Sequence, residues 1–297
     1  MDGNGCYHGD DMAIVATCLT IAAALAAARG GETIALRGDC PAITIGKDYA
    51  QPVTIDAEQA KVRGLTITGS NIRWKSGTIT APGGTHGRGP SGYAATVKGQ
   101  SVTFDGVTFT DAKKGVVIDS ARDVGILRSR FTSLGDDGIV AARTSGLTID
   151  GNSFEQSVGK PTECLVDGRV SYGVARRSCS GTWKDGYHPD AVQMRNAVTD
   201  ALLQNNVVSG STQGLTQMDT KGDLPLERVV IRRNKVITDG YHPITLGNCI
   251  DCRIEDNEVR RAPGSAAKKV IHAGKASRCG NVAQDEKTRD RPCAKGR

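Results

Sequence analysis

The sequence predicts an all-β solenoid, a single domain over residues 1–297 in which short parallel strands coil into stacked rungs. Three observations point there. One short phrase recurs along the chain, an asparagine holds a fixed place in most of its copies, and 37 glycines against 4% aromatic residues leave little bulk for one large globular core. Stacked rungs bury columns of Val, Ile and Leu and place Gly or Asn at tight corners, so they need few aromatic side chains.

The phrase reads VTFDGVTF from Val102, GILRSRF from Gly125, LTIDGNSF from Leu147, ALLQNNVV from Ala201, VVIRRNKV from Val229 and CRIEDNEV from Cys252. Its final apolar residues are Phe109, Phe131, Phe154, Val208, Val236 and Val259, separated by 22, 23, 54, 28 and 23 residues. A step near 22 is one coil of a β-solenoid, and about ten coils are expected. Two residues before the anchors stand Asn152, Asn206, Asn234 and Asn257. Asn tolerates a left-handed corner and bonds to its counterparts above and below, so a stacked turn favours it. Alternating apolar stretches between Gly-rich turns read as strands.

The 54-residue step holds one coil and an insertion over 158–189, and the 28-residue step marks a shorter loop near Lys221. Long loops within compact repeats are often functional. At the N-terminus the Ala-rich segment within residues 12–30, TIAAALAAARGG from Thr20, reads as an amphipathic helix closing the open end of the solenoid. Met12 to Ala28 lacks a basic leader and follows Asp10 and Asp11, so it reads as structure and not as an export signal. No other apolar run suffices to span a membrane.

Nine cysteines and short-range pairs such as Cys164 with Cys179 and Cys279 with Cys293 imply local staples and a secreted or periplasmic setting, the second pair holding a tail over 275–297. Cys249 and Cys252 have metal-like spacing without a second pair, so no zinc site is predicted. A net charge of +6, mixed along the sequence, argues against a nucleic-acid partner and suits an anionic polysaccharide.

The helix, turn and first strand from Thr20, together with the repeat up to about Gly274, resemble the pectate-lyase-like superfamily of right-handed parallel β-helices. The resemblance implies a right-handed parallel β-helix with an N-terminal capping helix and a carbohydrate-active role. It does not fix reaction type, since that family holds lyases, hydrolases, epimerases and tailspikes.

The strands following the repeat phrases align as KGVVIDS from Lys114, DGIVAAR from Asp137, DAVQMRN from Asp190, QGLTQMD from Gln213 and HPITLGN from His242. Val116, Ile118, Ile139, Ala141, Val192, Met194, Leu215, Gln217, Ile244 and Leu246 should point inward. Asp137, Arg143, Asp190, Gln193, Arg195, Asp219 and His242 are expected on one solvent-facing side, beside the insertion. GDDGI from Gly135 resembles the adjacent-aspartate phrase of polygalacturonase-like glycosidases, but that family's Gly-His-Gly and Arg-Ile-Lys elements are absent. QMDTK from Gln217 is loosely similar to the acidic-then-lysine arrangement of calcium-dependent β-helix lyases. Acidic pairs of this kind could hold Ca²⁺, although no contiguous calcium loop is visible, and the sequence points to no other cofactor.

The leading expectation is a polysaccharide lyase acting on a uronic-acid glycan by β-elimination. Arg195 and Gln193 would engage the uronate carboxylate, Lys221 or His188 would take the C5 proton, and Tyr187 would protonate the leaving oxygen. Asp190 completes the catalytic set. Asp137, Arg143, Lys184, Asp219 and His242 join Gln193 in binding substrate. The alternatives are a glycoside hydrolase using two of Asp137, Asp190 and Asp219, and a non-catalytic glycan-binding solenoid.

Overall fold

The computed structural model describes residues 13–81, 92–155, 163–172, 180–184, 189–210, 212–217, 222–263, 265, 269–284 and 290–293. Alternating apolar residues put one side of every short strand inside, and successive coils then pair in parallel, in register. The result is a nineteen-stranded sheet and a nine-stranded sheet wrapped round one core. Along the nine-stranded sheet Ala95, Val116, Ile139, Val192, Leu215, Ile244 and Ile271 stack as one inward column. All ten residues expected to point inward are buried, Gln217 included. Gln217 satisfies its amide there by accepting from the Asn248 N–H at 2.9 Å and donating to the Asn248 carbonyl at 2.6 Å.

The repeat anchors form a second column. Phe109, Phe131 and Phe154 stack with ring centroids 4.9 and 4.6 Å apart, and Val208, Val236 and Val259 continue the line in register. Burying each such side chain contributes about 1.5–3 kcal/mol.

The asparagine column is a hydrogen-bonded ladder, but its residues are not the left-handed ones. The positive φ falls one residue earlier, at Gly106, Arg128, Gly151, Asn205, Arg233, Asp256 and Gly280 in successive coils. The Asn side chains serve the next step. Asn206 Oδ1 accepts from the backbone N–H and the Nδ2 of Asn152, and the same pattern passes through Asn234 and Asn257 to Asn281. Each amide also reaches a carbonyl of the preceding coil, as Asn152 does to Ile126.

The N-terminal segment divides differently from the expected helix over 12–30. Ile14–Thr17 is a strand paired with Ile34–Arg37, and only Ile21–Ala27 is helical. Ile14 and Val15 are β-branched and suit the pleated edge, while the Ala-rich run that follows favours helix. Ile21 and Leu25 are buried, and Lys47 donates to the Ala26 and Ala28 carbonyls at the end of the helix.

Cys18–Cys40, Cys249–Cys252 and Cys279–Cys293 are disulfide-bonded. Cys179 and the Cys164 side chain lie outside the described residues. Within the insertion, Glu163–Val166 pairs antiparallel with Arg169–Tyr172 and with Thr182–Lys184 as a separate three-stranded sheet. At the other end, the described tail 290–293 lies along the last coil, with Asp290 bound to Arg278 and Asn281 and the Arg291 carbonyl accepting from the Gly280 N–H.

Candidate active site

The five aligned phrases start in one register position. Lys114, Asp137, Asp190, Gln213 and His242 occupy the same place in consecutive coils of the nine-stranded sheet, at the end where the insertion enters. Neighbouring members are therefore about 4.8 Å apart. Gly138 permits this closeness, because a Cβ there would lie 2.6 Å from the Ala191 carbonyl oxygen and 2.9 Å from the Phe154 ring.

The column is bonded within itself. Asp137 Oδ1 accepts from the Asp190 backbone N–H at 3.0 Å, and its Oδ2 pairs with the Lys114 ammonium. Lys114 is also 3.0 Å from Asp136. The Asp190 carboxyl accepts from Thr216 Oγ1 and Gln193 Nε2, each at 2.8 Å. Both aspartates are only 1% exposed, which corrects the expected solvent-facing placement: each stands two residues before an inward residue, Ile139 or Val192, and so falls on the buried side of the alternation. Asp190 nevertheless borders open space, lining a pocket with Leu134, Asp136, Ala191 and Thr212.

Burial is the first influence on each group. It pushes Asp190 up, the neighbouring Asp137 charge adds to this, and the result is about 8 despite the bonds from Thr216 and Gln193. Asp190 therefore carries its proton at neutral pH. Burial and the Asp136 charge likewise raise Asp137 against the pull of Lys114. For Lys114 burial acts downward, but the two carboxylates outweigh it and hold the ammonium above its ordinary value.

The expected site is thus divided. Gln193 is at Asp190, but Arg195 closes the far end of the same strand, about 16 Å away at 3.3 Å per residue. There it approaches Asp223 at 3.6 Å. Arg143 is at that far end too, bound to Asp119 and Ser120. His242 keeps its place in the column, with its ring against His272. Tyr187, His188, Asp219, Lys221 and the Lys184 side chain lie outside the described residues. Lys114 and Thr216 were not anticipated. Lys114 opens the same aligned phrase as Asp137 and Asp190, a signal present in the spacing. Thr216 has the look of an ordinary strand threonine.

The model of the right-handed β-helix region matches residues 56–260. The chain belongs to the right-handed β-helix family. No curated protein matches its sequence. Among solved structures, the β-helix is similar to the Dettilon tailspike protein with 15% identity and a TM-score of 0.53, covering 89% of this chain and 56% of the tailspike. The chain thus spans little more than half of that protein. An alginate lyase from Paenibacillus sp. is matched over 92% of this chain and 95% of its own with 16% identity and a TM-score of 0.40. The pectate lyase Pel9A is matched over 88% and 73% with 15% identity and a TM-score of 0.41. No helix among the described residues is long and apolar enough to cross a membrane.

Proposed function

We propose that the protein is a secreted polysaccharide lyase that cleaves an anionic, uronate-containing glycan by β-elimination. The observation that carries this reading is the neutral carboxyl of Asp190 beside a pocket. Elimination places charge on the uronate carboxylate as C5 loses its proton. A charged aspartate would repel that group, whereas a protonated one donates a hydrogen bond to it, most strongly as the charge develops. Gln193 is the second polar group at the same point. This role passes from Arg195, which is too distant to touch the same sugar. Lys221 or His188 would take the C5 proton, the C4–O bond would break with its electron pair going to oxygen, and Tyr187 would protonate that oxygen.

Hydrolysis needs a second carboxylate beside Asp190: Asp137 has both oxygens engaged, which leaves Asp219, outside the described residues, as the partner that reading would require. Three disulfides support an oxidising compartment for the protein.

The test is turnover of polygalacturonate and alginate, followed by ultraviolet absorbance of the unsaturated product and by reducing-end release. Asp190→Ala should lose about a hundredfold or more in rate. Asp190→Asn, which keeps a neutral donor, should retain most activity and remain active above pH 8, where the wild-type rate falls. Saturated reducing ends, with Asp190→Asn as inactive as Asp190→Ala, would mean hydrolysis. Binding without cleavage would mean a glycan-binding solenoid.

A further inference from the structure

We infer that Lys114 is a positioning residue of this site: its ammonium holds Asp136 and Asp137 together, and so lets an anionic sugar approach Asp190 past two carboxylates. The inference rests on the proposed function above. An acid-rich pocket is a poor place for a uronate, and here each ionised acid that lines it is met by a cation. Asp136 is 3.0 Å from the Lys114 ammonium, and Glu155 is paired with Arg130. The two pairs differ in setting. Arg130 and Glu155 are well exposed, so water and salt screen them, whereas the Lys114 and Asp136 side chains are only 19% and 15% exposed. The inner pair is the one whose charge a bound sugar would feel.

Lys114 acts from behind the pocket. Among the described residues neither it nor Asp137 lines that space. From the preceding coil its ammonium reaches Asp137 Oδ2, and Asp137 Oδ1 accepts the Asp190 backbone N–H, so an unbroken chain of bonds runs from the ammonium to the start of the Asp190 strand. In the column from Tyr93 through Lys114, Asp137 and Asp190 to Gln213, Lys114 is the one cation. Stability does not account for it, since a buried ion pair is often no better for the fold than apolar residues of the same shape. What the pair supplies is a seat for two negative charges beside a group that works uncharged. Burial pulls the ammonium down, but the two carboxylates outweigh this, and it stays charged at neutral pH.

Lys114→Met keeps the stem and removes the charge. Asp136 is then left ionised in the pocket, and Asp137, which burial and the Asp136 charge already raise, takes a proton. A neutral Asp137 no longer adds to burial in holding the Asp190 proton, so Asp190 loses that proton at lower pH. The measurement is KM and kcat on polygalacturonate and alginate between pH 5 and pH 9, at low and high salt, with thermal melting as the control for folding. The expected result is a KM raised about tenfold at low salt and less at high salt, and an alkaline fall in rate that begins at lower pH than in the wild type. Lys114→Arg keeps the cation and should restore both. Lys114→Met/Asp136→Asn, with no carboxylate left unpaired in the pocket, should recover the KM. Unchanged KM and pH profile in a folded Lys114→Met enzyme would overturn this inference alone, as would an equal loss in Lys114→Arg. A fall displaced to higher pH would mean that the ammonium acts on Asp190 directly, and the inference falls. If Lys114→Met does not fold, the double variant decides, and a KM still raised in it overturns the inference. Failure of the wild type to cleave or bind either polymer would overturn the proposed function, and this inference with it.

Discussion

At the residue scale, Asp137 and Asp190 show that identical side chains at identical register positions acquire different tasks from their neighbours. Asp137 is engaged at both oxygens by Lys114 and the Asp190 backbone, whereas Asp190 meets only neutral donors and keeps its proton. This has a stability consequence with a definite sign. The Asp190 carboxyl holds its proton up to about pH 8 in the folded chain but only to about 3.8 when unfolded, so the folded state binds more protons between those values. Stability is therefore full below about pH 4 on this account and falls as pH rises towards 8, by a few kcal/mol. Denaturant unfolding of the wild type and of Asp190→Asn at pH 5 and pH 8 checks this. The variant should lose most of the decline. The sequence alignment placed these residues in one line correctly, because parallel stacking preserves the spacing of the phrases. Burial was legible too, on the other side from the one expected: Asp137 and Asp190 stand two residues before the inward Ile139 and Val192, so the same alternation puts them inside.

At the element scale, the ladder and the phenylalanine stack bind each coil to the next in different ways. Phe131 lies between two rings, so Phe131→Ala opens a cavity against both and should cost about 3–5 kcal/mol in denaturant unfolding. Asn234 Oδ1 accepts from the backbone N–H and the Nδ2 of Asn206, while its own backbone N–H and Nδ2 donate to Asn257 Oδ1. Asn234→Ala leaves buried donors unpaired, and a loss of at least about 2 kcal/mol is expected. Both columns were legible, since they fall at constant phase in the repeat. The left-handed corner was not. Its members include Arg128 and Arg233, whose residue type carries little preference for positive φ, so only the coordinates locate the turn one residue before the asparagines. The first strand, Ile14–Thr17, was hidden for a related reason: four residues are too few to show alternation, and the Ala-rich run beside them dominated the pattern.

At the scale of the whole molecule, each coil touches only its neighbours, so the two ends are where order is lost first. The N-terminal end is closed by the helix Ile21–Ala27, the Lys47 bonds and Cys18–Cys40. The C-terminal end depends on the tail: Asp290 takes the place a further ladder asparagine would have beneath Asn281, and Cys279–Cys293 holds the segment there. Replacing both cysteines by serine should cost up to about 3 kcal/mol and speed amide exchange in residues 271–284, while exchange around Phe109 to Phe154 stays as in the wild type. Uniform acceleration along the chain would show that the solenoid unfolds as one unit.

The insertion between Phe154 and Asp190 leaves the rungs on either side in step, with Phe154 still opposite Val208 and Ile139 still opposite Val192. Register is therefore held by the core and the ladder, and the length of this corner is free to vary. The same corner is a natural graft point. A foreign peptide spliced there would be carried by a scaffold that need not adjust to it, and exchanging the segment between related solenoids would leave the column from Lys114 to His242 in place.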